Sequence, residues 1–364
     1  MIIVLVVAII LYVGMMLILS IGIEKAAQAP RVEDFEPTVS VIVAARNEEQ
    51  YIQSCIESLS KIDYPSAKLE IIIVNDGSTD RTAEIVESYT LANTSIKMIT
   101  TSKGTGNLRG KANALSQGIG VSSGEILMFT DADCIMPQSW VKETVQYFKD
   151  NVGIVGGFTL LKTSSIFDGM QALDWVFLFG LASASAGLKK PLSVIGNNLS
   201  VRRSAYDDVG GFQQIPFSVT EDYALVQAII TKTQYEVAFP INKNTTIQSV
   251  PCRSIKQLFR QKQRWGVGGL DMILWGMMIM FAGWLLRISL IASFFLVNPT
   301  TIFVAVVCML FIDFRFLRRP LQQIDRLSYL KYFVFFELYY FLYVPLIPVI
   351  AILSKDVVWK ERRL

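Results

Sequence analysis

The sequence predicts an α/β domain on a mostly parallel sheet, flanked at both ends by membrane-spanning helices. Three observations carry that reading. Residues 1 to 22 hold no charged side chain, and further apolar stretches follow residue 265. Between them, short β-branched runs alternate with segments of helical periodicity. The 364 residues are 52% hydrophobic and only 18% charged, with a mean hydropathy of +0.42. A soluble domain carries about a quarter charged residues, so the deficit implies contact with lipid.

The first apolar run is long enough to cross a hydrocarbon core of about 30 Å as a helix. It lacks the basic start and the small-residue cleavage site of a signal peptide. Residues 23 to 37 read as a polar linker, and Lys25 and Arg31 put that side in the cytoplasm. Val39 to Ala45 is a strand, and ARNEEQYIQSCIESL after it has helical periodicity. Leu69 to Val74 is a second strand, closed by Asn75-Asp76-Gly77-Ser78, with Ser78 or Thr79 capping the helix that follows. Gly124 to Thr130 is the third strand. Alternation of this kind puts the ligand site at the carboxyl ends of the strands.

Beyond residue 265, Leu270 to Val297 is apolar except for Asp271 and Arg287, Thr301 to Ile312 is apolar, and Tyr332 to Leu353 is interrupted by Glu337. Arg315, Arg318, Arg319, Arg326 and Lys331 read as a cytoplasmic loop. Four spans would leave the basic tail (Lys355, Lys360, Arg362, Arg363) outside, against the positive-inside tendency. Either Met272 to Phe281 lies in the interface, or one segment does not fully cross. The expected division is therefore a span at 1–23, a cytoplasmic domain at 24–265, and interfacial and transmembrane helices (about three) with a basic tail at 266–364.

Composition also excludes chemistries. The net charge of +3 shows no basic face for nucleic acid. Cys55, Cys134, Cys252 and Cys308 form no CxxC pair, which fits neither a zinc site nor a disulfide framework and implies a reducing compartment. The chain has no histidine, so catalysis must run on carboxylates, lysine, hydroxyls or backbone.

Four motifs carry the remaining signal. Asp76 follows a buried strand, where it can bond a nucleotide or merely end the strand in an Asx turn. Asp131-Ala132-Asp133 follows another, and two carboxylates at that spacing can share Mg²⁺ or Mn²⁺ with a diphosphate, or form a solvated turn. Thr220-Glu221-Asp222-Tyr223 precedes a helix; Glu221 fits a helix-dipole role, and one of the two acids a general base. Gln261-Lys262-Gln263-Arg264-Trp265 can grip a diphosphate or acceptor, with Arg260 and Lys262 adding charge, or can simply anchor at headgroup depth.

Together, and in this order, the motifs resemble the family 2 glycosyltransferases of GT-A fold. The likeness is to the membrane-bound branch with cellulose, hyaluronan and poly-N-acetylglucosamine synthases and ceramide glucosyltransferases. It covers about residues 38 to 270, and includes Ala44-Ala45-Arg46-Asn47-Glu48, the NDGS segment, Gly110-Lys111-Ala112-Asn113-Ala114-Leu115, the DAD, Gly196-Asn197-Asn198 before Arg202-Arg203, the TED, and QKQRW as the family's QxxRW. The resemblance implies a Rossmann-like GT-A fold and a uridine pocket lined by Ala44, Arg46, Glu48 and Asp76. It implies Lys111 near the phosphates, Asp131 at the nucleotide and the metal, and Asp133 on the metal. Asp222 would be the base, and Gln261, Arg264 and Trp265 would close over the diphosphate and the acceptor end. IGNNLSVRR departs from the FCG-type loop of cellulose synthases.

The expected activity is inverting, metal-dependent transfer from a UDP-sugar, with Mg²⁺ or Mn²⁺, to an acceptor at the inner face of a bacterial membrane. A lipid acceptor is the first expectation and a processive polysaccharide synthase the second. A non-catalytic scaffold would be free to lose the acid set. A transporter would need more charge within the apolar segments.

Overall fold

The computed structural model describes the chain apart from Thr105, Asn107, Asp150, Leu270, Asp271, residues 354–357, Lys360, Glu361 and Leu364. Asp271, Lys355 and Lys360 thus lie outside the described residues, as do the side chains of Arg362 and Arg363.

The central sheet uses β1 (Val39–Ala45), β2 (Leu69–Asn75), β3 (Ile96–Thr100), β4 (Ile126–Asp131), β5 (Val152–Gly156), β7 (Leu199–Arg202) and β8 (Glu236–Ala238). Their order is β3-β2-β1-β4-β7-β5-β8, and β6 (Thr159–Leu161) pairs with β9 (Ile247–Ser249) in a small parallel sheet. β1 to β4 run parallel, as do β5 and β8, whereas β7 is antiparallel to both of its neighbours. This is the mostly parallel, Rossmann-like sheet that the strand and helix alternation predicts. Both faces are covered: Val41, Val43, Ile71 and Ile73 pack into one core and Ile42, Ile72 and Val74 into the other. Burial on both faces explains why these strands read as continuous Val/Ile runs.

Three local expectations need correction. Ile96–Thr100 is a strand that the sequence reading passed over, so the run after Gly124 is the fourth strand and spans Ile126–Asp131. IKMIT is five residues at the sheet edge, and only its first residue is buried, which leaves little hydrophobic signal. The helix after β1 begins at Ile52, because residues 46–51 turn back across the β2 end with Asn47 at φ 52°. The helix after β2 is Thr82–Ala92, and Asp80 rather than Ser78 or Thr79 takes its first N–H, from Thr82 at 3.0 Å. Ser78 N–H is bonded to Asn75 Oδ1 at 3.0 Å and Thr79 N–H to Asn47 Oδ1 at 2.8 Å, which lengthens the turn.

Among the described residues, four helical segments are long and apolar enough to cross a membrane: Ile2–Ala27, Leu274–Ser293, Pro299–Gln323 and Leu327–Leu353. The first runs through Lys25, past its expected end. Arg315, Arg318 and Arg319 extend the third helix instead of forming a loop; of the five, Arg326 lies in the connection and Lys331 in the opening turns of the fourth segment. Arginine is a good helix former, and Arg319 reaches Glu24 on the first helix at 2.6 Å. Within the bundle, Tyr12 donates to Asp313 at 2.5 Å and Arg287 pairs with Asp313 at 3.4 Å. The helix Ile166–Gly187 crosses the first helix where Gly22 meets Ala184 and Gly187. No side chain fits at either glycine, so the bundle and the α/β domain share one continuous core.

Candidate active site

Parallel register aligns the strand ends: Ala45 pairs with Asn75, and Ala44 with Asp131. The carboxyl ends of β1, β2 and β4 therefore open together onto a cleft of about 500 Å³. Every residue to which the family resemblance gives a role lines it.

At one end stand Ala44, Arg46, Glu48 and Asp76. Arg46 donates to the carbonyls of Asp76 at 2.6 Å and Gly77 at 3.0 Å, lashing the β1 and β2 turns together. Gly77 has φ 64°, a left-handed turn that a side chain would strain. Thr101 donates to the buried Asp76 carboxylate at 3.1 Å.

In the middle, Asp131 leaves β4 and meets Lys111, from the first turn of the helix Gly110–Gly120, at 2.6 Å. The same ammonium lies 3.3 Å from Glu221. Burial works against the charge on Lys111, but Asp131 and then Glu221 more than reverse this, so the lysine stays cationic. Cys134 donates weakly to Asp133 at 3.5 Å. Burial, and then the charge of Asp133, push the Cys55 and Cys134 thiols well above their ordinary range. The thiols thus stay protonated, and the ligands on offer are hard carboxylate oxygens. Among the described residues no group of three or more His, Cys, Asp or Glu could hold a metal. Asp131 and Asp133 fit a cation that takes its remaining ligands from a diphosphate and water, the usual arrangement for Mg²⁺.

At the other end, Asp222 in the first turn of Glu221–Lys232 accepts N–H bonds from Gly196 at 2.6 Å and Tyr223 at 2.8 Å. A Cβ at position 196 would sit 3.1 Å from Asp222, so glycine lets the backbone donor approach. Burial first, and Glu221 next, push the Asp222 carboxyl up to about 6, with Lys111 and the two N–H groups opposing. Asn197 and Asn198 brace this segment through Thr159 and Trp140, each at 3.0 Å. Gln261, Arg264 and Trp265 enter from the helix Ile255–Gly268, and Trp265 meets Trp175 with ring centroids 5.6 Å apart.

Sequence reasoning missed three roles. Glu221, assigned to the helix dipole, is the second partner of Lys111. Trp175, on an apolar helix, lines the cleft. Lys262 does not add charge to the cleft: it is 3% exposed and paired with the buried Asp174. An aspartate inside the apolar run ALDWVFLF was the available signal for that pair.

The sequence matches glycosyl transferase family 2 over residues 40–210 and glycosyl transferase family group 2 over residues 126–354. It is 31% identical over 240 residues to a poly-beta-1,6-N-acetyl-D-glucosamine synthase of Staphylococcus epidermidis, covering 65% of this chain and 55% of that protein. It is 28% identical over 241 residues to a beta-monoglucosyldiacylglycerol synthase of Synechocystis, covering 64% and 48%. The chain thus aligns with about half the length of these relatives. A mannosyltransferase of Pyrobaculum calidifontis, solved with GDP-Man and Mn²⁺, shares the fold with a TM-score of 0.60 at 18% identity, over 92% of this chain and 99% of that one.

Proposed function

This chain belongs to glycosyl transferase family group 2, and from that premise we propose that it moves a sugar, with inversion, from a UDP-sugar to a membrane lipid. The observation that carries the reading is the single cleft shared by Asp76, Asp131, Asp133, Lys111, Asp222 and Arg264. Residues 24–265 would be the cytoplasmic catalytic unit, held to the inner membrane of a bacterium by the apolar helices on either side.

In the proposed reaction the uracil and ribose lie against Ala44, Arg46, Glu48 and Asp76. The acceptor hydroxyl oxygen bonds to the anomeric carbon as the bond from that carbon to the diphosphate oxygen breaks. Asp222 takes the hydroxyl proton, and the bonding pair leaves with UDP. Proton transfer of this kind contributes about 10²–10⁴-fold. Lys111 and Arg264 neutralise charge growing on the diphosphate, from positions already fixed around the cleft. Mg²⁺ or Mn²⁺ held by Asp133 and Asp131 would supply further positive charge there when bound.

A lipid acceptor is supported by where the acceptor end lies. Trp265 sits on a helix whose Gly266 packs against Ile347 and Ala351 of an apolar helix. The same helix exposes Ile255 and Phe259. A second reading, extension of a poly-N-acetylglucosamine chain, is favoured by the staphylococcal relative.

The test is purified protein in detergent, offered a panel of UDP-sugars with Mg²⁺ or Mn²⁺, with free UDP as the readout. Product that extracts into organic solvent supports the lipid, and high-molecular-weight material that a glycosidase digests supports the polymer. Asp133→Ala is expected to weaken metal-stimulated UDP binding about tenfold or more, the scale of one charge-assisted contact. Undiminished stimulation by Mn²⁺ in that variant would remove Asp133 from the metal site.

A further inference from the structure

The helix Ile255–Gly268 presents two faces. Gln257, Arg260, Gln261, Arg264 and Trp265 line the cleft. On the other side, Leu258, Lys262 and Gly266 recur every fourth residue and pack inward. Helix patterning would fill the middle position of such a stripe with an apolar side chain. Here it is Lys262, 3% exposed and ion-paired to Asp174, itself 5% exposed, on the helix that also carries Trp175. The Lys262 ammonium lies 4.2 Å from the centroid of the Trp265 ring and 5.1 Å from that of Tyr343. One cation thus touches all three helices that meet behind the acceptor end.

Burying such a pair does little for stability, because the desolvation of both charges offsets their attraction; an apolar pair of like volume is often as stable or more so. What the pair adds is direction. An apolar stripe tolerates a few degrees of rotation, whereas an ammonium held by one carboxylate and two ring faces does not. We propose that the Lys262–Asp174 pair is a positioning device that sets the rotation of the Ile255–Gly268 helix and the tilt of Trp265 against Trp175, and so shapes the acceptor subsite. This rests on the acceptor reading of that end of the cleft.

The test replaces both charges by apolar groups of similar volume, Lys262→Met with Asp174→Leu, since either single change strands a buried charge and can unfold the protein. Transfer is measured to diacylglycerol in micelles and to an N-acetylglucosamine pentamer, beside calorimetric binding of UDP with Mn²⁺. The double variant is expected to keep its melting temperature within a few degrees, and its UDP affinity, which draws on Arg264 of the same helix as well as on the strand ends, is expected to fall severalfold less than its acceptor kinetics. Its kcat/KM for the acceptor is expected to fall about 10- to 100-fold, the scale of a misplacement of about 1 Å. Lys262→Arg should restore part of the loss. Wild-type transfer by the double variant, or a parallel loss of UDP affinity, would overturn the proposal. A readout independent of activity is the ¹⁹F signal of 5-fluorotryptophan at position 265, assigned by its absence in Trp265→Phe. That line should shift and broaden in the double variant, and an unmoved line also overturns the proposal. Wild-type protein that binds UDP but glycosylates neither probe would sink the acceptor reading, while the fluorine line still decides the pair.

Discussion

In the cleft, Lys111 stands between Asp131 and Glu221, 2.6 and 3.3 Å away, beside an open volume of about 500 Å³. Among the apolar helices, Arg287 stands 3.4 Å from Asp313, Tyr12 closes on the same carboxylate at 2.5 Å, and both charged side chains are wholly buried. The ingredients match and the surroundings do not. A cluster that borders a cavity can exchange its partners for those of a substrate, because phosphate or hydroxyl groups can replace the carboxylates around the lysine. A cluster enclosed by Tyr12, Tyr340 and helix backbone, with the buried Glu337 beside it, does not line the cleft and is placed to hold the helices together. Deletions in the first region should therefore cost activity with the fold intact, and deletions in the second should cost the fold.

The largest effect is expected at Asp222. Asp222→Asn removes the proton acceptor while keeping the shape that Gly196 N–H bonds, and transfer should fall about 10²–10⁴-fold. UDP affinity should survive; its loss in calorimetry would mean that Asp222 binds nucleotide instead of moving a proton. The pH profile gives the same residue a second trial. Burial and Glu221 raise the carboxyl to about 6, and a base works only when ionised. The kcat/KM of the wild type should thus be level above pH 6 and fall about tenfold per unit below it. In Glu221→Gln the raising charge is gone, and the acid limb should move to lower pH.

How much of this contrast could be read from the chain follows from where each signal lies. The cleft was legible because parallel strands end in register: Asp76 and Asp131 each follow a continuous Val/Ile/Met/Phe run, and that pattern alone aligns them. Glu221 was misread because proximity to Lys111, 110 positions earlier in the chain, has no local trace. Lys262 was misread because a charge two positions from Arg264 looks like part of the same surface, when two steps round a helix turn it about 200° away, to the opposite face. The bundle cluster was half visible. Arg287 and Glu337 interrupt apolar runs, but Asp313 falls one residue beyond the run that was expected to end at Ile312. Extending that helix to Gln323 supplies the missing partner.

Arg287→Met supplies the next largest effect. It leaves Asp313 buried without its cation, a loss of about 3–5 kcal/mol when one member of a buried pair is removed. The expected outcome is poor recovery from detergent and a clearly lowered melting temperature. The fraction that stays folded should keep an ordinary kcat/KM. A variant with normal stability and lost transfer would place the bundle cluster in the reaction and erase the distinction between the two regions.

The smallest effect belongs to a third pair that shares the chemistry of the other two without their enclosure. Arg319 and Glu24 meet at 2.6 Å between the first and third apolar helices, but their side chains are 42% and 48% exposed. At helix ends that leave the hydrocarbon, water solvates both partners whether or not they touch, and salt screens them, so such pairs contribute about 0–1 kcal/mol. Arg319→Ala should therefore shift the melting temperature by no more than a degree or two, less again at high salt, against the large drop for Arg287→Met on the neighbouring helix. The distance at Arg319 is the shorter of the two, so a ranking by distance would predict the reverse order. If the exposed pair proved the costlier to remove, burial would not be what separates the bundle from the cleft.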